Sequence, residues 1–253
     1  ETLYGWNELD VAEAEVRLGW CPSNDQVCDE QAQLAGYLML ARLQQARGHL
    51  DDAITVLNEG EAFGQRCVSQ WAILCDVKTL RARYQLQSGD EAATVRWAHA
   101  ANVTLDAPPD QLAARANAYL VRARLLLAQH DPQAIELLTR LIAALDVSQQ
   151  RGVQLEAQVV LAQAQHQCGQ LAAALMTLQH ALELAASERY TRVFLDDVHL
   201  RPVLFELRAQ LRARPDSLVV NQLDRILATI AVAPHAASAS SGELVEPLNE
   251  REL

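Results

Sequence analysis

Apolar and small residues along this chain return at helical spacing, not at the two-residue alternation of a half-buried strand. In the stretch from about 29 to 66, Leu34, Leu38 and Ala41 share one helical face, Gly48 interrupts it, and Ile54, Leu57 and Ala62 continue a second helix. The same two-helix word recurs. Four short connections align as Ala41-(six residues)-Gly48, Ala82-(six)-Gly89, Ala123-(six)-His130 and Ala162-(six)-Gly169, with the alanines 41, 41 and 39 residues apart. A second alanine series follows the connections at Ala12, Ala53, Ala93, Ala134 and Ala174, at intervals of 41, 40, 41 and 40. Self-similarity at this period marks stacked repeats. The small anchors have a packing reason, because two antiparallel helices approach closely only where neither carries a bulky side chain. The fold class is therefore all-α. Antiparallel helix pairs of about 40 residues are expected to stack into a right-handed α-solenoid.

Breakers separate the units: Cys21-Pro22-Ser23-Asn24-Asp25, Ala107-Pro108-Pro109-Asp110 and Ser148-Gln149-Gln150-Arg151-Gly152. The first unit, from Asn7 to Trp20, has a second helix and no first, which predicts further repeats before Glu1 in the natural protein. The expected organisation is repeats over 1–186, C-terminal capping helices over 187–232, and a final segment over 233–253. The capping helices are expected from about Pro202 to Arg212 and from about Ser217 to Ala231, with a break at Pro215. From Pro234 to Gly242 the composition is that of a flexible linker, and Asn249 with its acidic neighbours resembles a capped helix start.

Composition sharpens this picture. Leu and Ala supply 40 and 42 of the 253 residues, whereas Gly and Pro together supply only 18, which excludes a turn-rich β fold. The net charge is −11, so the chain as a whole repels a phosphate backbone and nucleic-acid binding is not expected of it. No apolar run is long enough to cross a bilayer, and the N-terminus lacks a basic region followed by an apolar one. The five cysteines are odd in number and without C-x-x-C spacing, as in a reduced cytoplasmic protein.

The repeats resemble the tetratricopeptide repeat (TPR), lengthened to about 40 residues. Tyr37, Leu40, Ala41, Gly48, Ala53 and Leu57 stand where that consensus has its aromatic, leucine, small, glycine, small and large apolar residues. Arg189-Tyr190-Thr191-Arg192-Val193-Phe194-Leu195-Asp196-Asp197 and the terminal word Leu244-Val245-Glu246-Pro247-Leu248-Asn249-Glu250-Arg251-Glu252-Leu253 add a second likeness. With the long repeats they resemble the large ATP-dependent LuxR-type transcriptional activators of the maltose-regulon type. The resemblance implies a sensor module that receives an inducer, small molecule or peptide, or a regulatory protein. It also implies that the module relays this to a nucleotide-binding switch domain and a helix-turn-helix outside this chain. No G-x-x-x-x-G-K-[ST] occurs here, and no cofactor is expected. The alternative is a tetratricopeptide interaction scaffold with no small-molecule ligand.

Catalytic chemistry has little to work with. H-E-x-x-H, G-x-S-x-G and G-x-G-x-x-G are absent, so no enzyme is expected. His166 with Cys168, and Cys67 with Cys75, lack a second ligand pair and predict no metal site. Trp6, Trp20, Trp71 and Trp97 fall on repeat helices or their ends, where core packing is the simpler role.

One constellation is repeat-specific. Directly after the first alanine series stand Arg42, Arg83, Arg124 and Gln163, which stacking would place side by side at roughly 10 Å as a ladder on the concave face. Gln45 and His166 follow ladder members by three residues, and Thr79 precedes one by four, so they share its helical face. Arg42, Gln45, Asp76, Thr79, Arg83, Arg124, Gln163 and His166 are accordingly the candidate ligand-binding set, suited to an anionic or polyhydroxylated ligand. The competing reading pairs the arginines with acids such as Asp76 and Glu156.

Overall fold

The computed structural model describes residues 2–19, 29–67, 71–213 and 218–232. Expectations at Trp20, in the 21–25 breaker, at Cys28, at Pro215 and from 233 onward lie outside those residues. Fourteen α-helices and two short 3₁₀ turns make up the described chain, which contains no strand. The helices are α1 Thr2–Gly5, α2 Leu9–Gly19, α3 Glu30–Ala46, α4 Leu50–Gly64, α5 Trp71–Gln87, α6 Glu91–Ala100, α7 Pro109–Ala114 and α8 Ala116–Ala128. They continue with α9 Gln133–Val147, α10 Arg151–Gln167, α11 Leu171–Glu188, α12 Arg192–Leu195, α13 Arg201–Gln210 and α14 Leu218–Val232.

The pairs α3/α4, α5/α6, α8/α9 and α10/α11 form the repeats, and α3, α5, α8 and α10 stack on one another as the inner layer. All nine alanine anchors are buried. Gly48, Gly89 and Gly169 end the inner helices with positive φ (88°, 90° and 75°), and His130 takes the same place at φ 55°. In each turn the next amide donates to a carbonyl five residues back: His49 to Gln44, Asp90 to Gln85, Asp131 to Leu126 and Gln170 to Gln165. This satisfies carbonyls that the helix end would otherwise strand. The result is an all-α tetratricopeptide-like solenoid.

One departure from the periodic reading lies at Arg115. Its backbone (φ −126°, ψ 35°) leaves the helical region and divides the third inner helix into α7 and α8. Its guanidinium donates to the Ala101 carbonyl at 2.6 Å, tying the break to the end of α6. Beyond Glu188 the chain turns through Arg189 in the left-handed conformation. α12 and the 3₁₀ turn Val198–Leu200 then pack on α10, and α13 and α14 pack on α11. Cys67, Cys75 and Cys168 are free thiols.

Candidate functional site

Repeat equivalence brings the ladder positions together, and charge decides what they do. Arg83 on α5 and Arg124 on α8 each place a guanidinium nitrogen 2.8 Å from the same oxygen, Oε1 of Glu156 on α10. The three side chains are 17%, 9% and 21% exposed, so the triad is largely withdrawn from water. Burial alone would raise the Glu156 carboxyl, but the charges of Arg83, Arg124 and Arg42 outweigh it and hold the group at about 2. Burial also lowers Arg124, helped by repulsion from Arg83 and opposed by Glu156 and Asp197. Of the two acids weighed against the ladder in the sequence, Glu156 takes both arginines.

The chain itself covers this triad. Gln45 and Gln87 each direct an amide nitrogen to the Asp196 carbonyl at 3.5 Å. The Arg192 Nε donates to Asp196 Oδ1 at 2.5 Å, and both side chains are about one-tenth exposed. Gln163, 4% exposed, has no hydrogen-bond partner for either amide atom, and the Nε atoms of Arg83 and Arg124 are likewise without one. His166 Nε2 lies 3.8 Å from Glu206 of α13. The positive strip expected to be open to ligand is thus paired and roofed by 189–200; Gln45 contributes to the roof's attachment, and His166 lies beside α13.

The inner helices are open at their other end. A cleft of about 780 Å³ runs between α5, α6, the α7–α8 break and the start of α10. Trp71 and Trp97 stand in its walls together with Asp76, Thr79, Asn117 and Gln150, over a floor rich in alanine. Trp71 is 70% exposed, with the Lys78 ammonium 5.6 Å from its ring centre. The Thr79 hydroxyl donates to the Cys75 carbonyl at 2.7 Å, and the Gln150 amide donates to the Ala113 carbonyl at 3.2 Å. A second hollow, about 40 Å³ beside Leu127, His130 and Gln167, is too small for a metabolite.

Of the eight candidates, Asp76 and Thr79 line the open cleft. Arg83 and Arg124 form the covered triad, and Arg42 adds its field there. Gln45, Gln163 and His166 lie along the covered end. Asn117 and Gln150 are not among the candidates that the sequence suggests, and Trp71 and Trp97, for which core packing is the simpler expectation, stand in the cleft wall, Trp97 also packing partly against the core. A signal existed for Asn117: it precedes Arg124 by seven residues, as Asp76 precedes Arg83 and Glu156 precedes Gln163. Among the described residues no group of three or more His, Cys, Asp or Glu side chains is placed to hold a metal ion.

Residues 1–210 match the family model described as the MalT-like TPR region. No curated protein matches the chain.

Proposed function

Because the chain belongs to the MalT-like TPR family, we propose that it is the sensor module of a LuxR-type transcriptional regulator. It takes an inducer, a small molecule or short peptide, in the cleft between Trp71 and Trp97. The observation that carries this reading is the cleft itself, whose roughly 780 Å³ lies in the range of metabolite sites. Its walls come from three successive repeats, so a bound molecule would bridge them. Ligand contacts that differ between two stacking arrangements bias the array toward one of them. That bias is what the module would pass to the nucleotide-binding switch domain and the DNA-binding domain of the same regulator.

In this reading the cleft supplies shape and ring stacking from Trp71 and Trp97, with hydrogen-bonding groups on Asp76 and Asn117. Arg42, Gln45, Arg83, Arg124, Gln163 and His166 maintain the covered end. The module performs no reaction and uses no cofactor, in keeping with the typically non-catalytic character of such repeats. Among the described residues no helix is long and apolar enough to cross a membrane. A cytoplasmic regulator that does not itself touch DNA fits the charge of −11.

Tryptophan fluorescence tests the site. Titration of the chain with a metabolite set should yield a compound that changes the emission saturably, and Trp71→Phe should remove a large part of that change. A saturable response that Trp71→Phe and Asp76→Ala both leave intact would move the site away from the cleft.

A further inference from the structure

Two apolar cores lie at opposite ends of the repeat array and meet without merging. One gathers Ala12, Met39 and Leu43 with Leu3 and Tyr4 packed against them. The other gathers Phe194, Leu200, Val203 and Leu204 with α11 and α14. Polar contacts join them. The Tyr4 hydroxyl donates to Asp196 Oδ2 at 2.9 Å, and the Trp6 indole N–H donates to the Glu188 carbonyl at 2.9 Å. The Thr191 amide donates to the Gly5 carbonyl at 2.9 Å, and Arg192 donates to Asn7 Oδ1 at 3.1 Å and to the Ala46 carbonyl at 3.3 Å. Arg192 and Arg189 also lie 5.7 and 5.5 Å from the ring centres of Tyr4 and Trp6.

We propose that this junction is a clasp. Residues 2–7 and 188–196 separate together, opening the ring of repeats over the Arg83–Arg124–Glu156 triad while the helix pairs stay folded. Three features of the molecule favour a junction that opens over one that is fixed.

Its contacts are mostly hydrogen bonds and arginine–ring contacts at the surface between the two segments, with the Tyr190 ring against Gly5 and no apolar core shared across them; water replaces such hydrogen bonds at little net loss. Each helix pair draws its stability from its own interior and its immediate neighbours, so contact between the first and last repeats is not needed to keep either folded. Closure also leaves the Gln163 amide and the Nε atoms of Arg83 and Arg124 buried without partners. Opening returns those groups to water, which offsets part of what the clasp contributes. The clasp stands whether or not the open cleft takes a ligand.

Gly5 supplies a wedge that removes none of the polar contacts. A Cβ added there would stand 2.6 and 2.8 Å from Cδ1 and Cε1 of the Tyr190 ring. Hydrogen-exchange mass spectrometry on the whole chain, comparing wild type with Gly5→Ala, Arg192→Ala and Tyr4→Phe, tests the proposal. In Gly5→Ala and Arg192→Ala, exchange over 2–7 and over 188–196 should accelerate together by about tenfold or more. Tyr4→Phe should give a smaller acceleration, again in both segments. The outer helices α4 and α9 should stay within twofold of wild type. The proposal is overturned if each variant loosens only its own segment, if neither segment changes, or if α4 and α9 lose protection to the same extent, which is unfolding of the whole array.

Discussion

Asp76 and Arg83 sit two turns apart on one helix, about 10 Å along its axis, and meet opposite surroundings. Arg83 lies under 189–200, bound to Glu156, whereas Asp76 lines an open cleft. The concave face of this solenoid is therefore two surfaces. Around Arg83, Arg124 and Glu156, charge is paired and covered, and the covering chain is held by contacts between segments some 190 residues apart. At the N-terminal ends of the inner helices, small side chains leave room between the repeats. Repeat equivalence places residues side by side, but the chain packed across them decides whether they are structure or site.

The largest expected effect lies in the covered end. Glu156→Ala would leave Arg83 and Arg124 buried without their shared carboxylate, a loss on the order of 3–5 kcal/mol. For a protein of this size that is roughly 6–20 °C in melting temperature. Denaturant unfolding reads it directly, and a loss below about 1 kcal/mol would mean that the triad is solvated and the two surfaces are alike.

The same carboxylate sets a pH dependence. Held at about 2 in the folded chain against about 4.3 when unfolded, Glu156 binds a proton more readily in the unfolded state. Its stabilisation is complete above the unfolded value and is lost as the pH falls from about 4.3 toward 2, on the order of 3 kcal/mol in total. Denaturant midpoints of wild type and Glu156→Gln should accordingly converge on acidification through that window. A constant gap between them would contradict the pairing.

A smaller effect separates the third repeat's turn from the other three. His130 adopts at φ 55° the left-handed place that Gly48, Gly89 and Gly169 fill elsewhere. His130→Gly should raise stability by about 0.5–1 kcal/mol, after allowing for the exposed contact with Gln167 that it removes. Destabilisation would show that the contact outweighs the backbone strain. Smallest of all, Trp71→Ala in the open cleft should change stability by no more than about 0.5 kcal/mol, because the ring is mostly exposed.

Much of the fold was legible because packing repeats. The nine alanines are buried where the period put them, and the turn glycines carry the left-handed φ that ends three of the four inner helices. The break at Arg115 left no trace, since Ala113, Ala114 and Ala116 around it are good helix formers and the cause is a tertiary contact with Ala101. The roof over the ladder was illegible for the same reason: Tyr4 with Asp196 and Asn7 with Arg192 pair across nearly the whole chain, with no period to announce them. The cleft was half legible. Thr79 follows from the helical face of the ladder and Asp76 from its charge opposite the arginines, while Trp71, for which a repeat-helix position suggests core packing, stands exposed at the start of α5.

Ligand-induced thermal shift, measured on wild type and on a Trp71→Ala/Asp76→Asn double variant with the same metabolite set, tests the account most directly. A compound at a hundred times its dissociation constant stabilises by about 2.7 kcal/mol, which is roughly 5–10 °C here. The account predicts such a shift in wild type and its loss in the double variant, with the unliganded melting temperatures close together. A shift of equal size in both proteins, or no shift in wild type with any compound, would contradict the cleft as the sensor site.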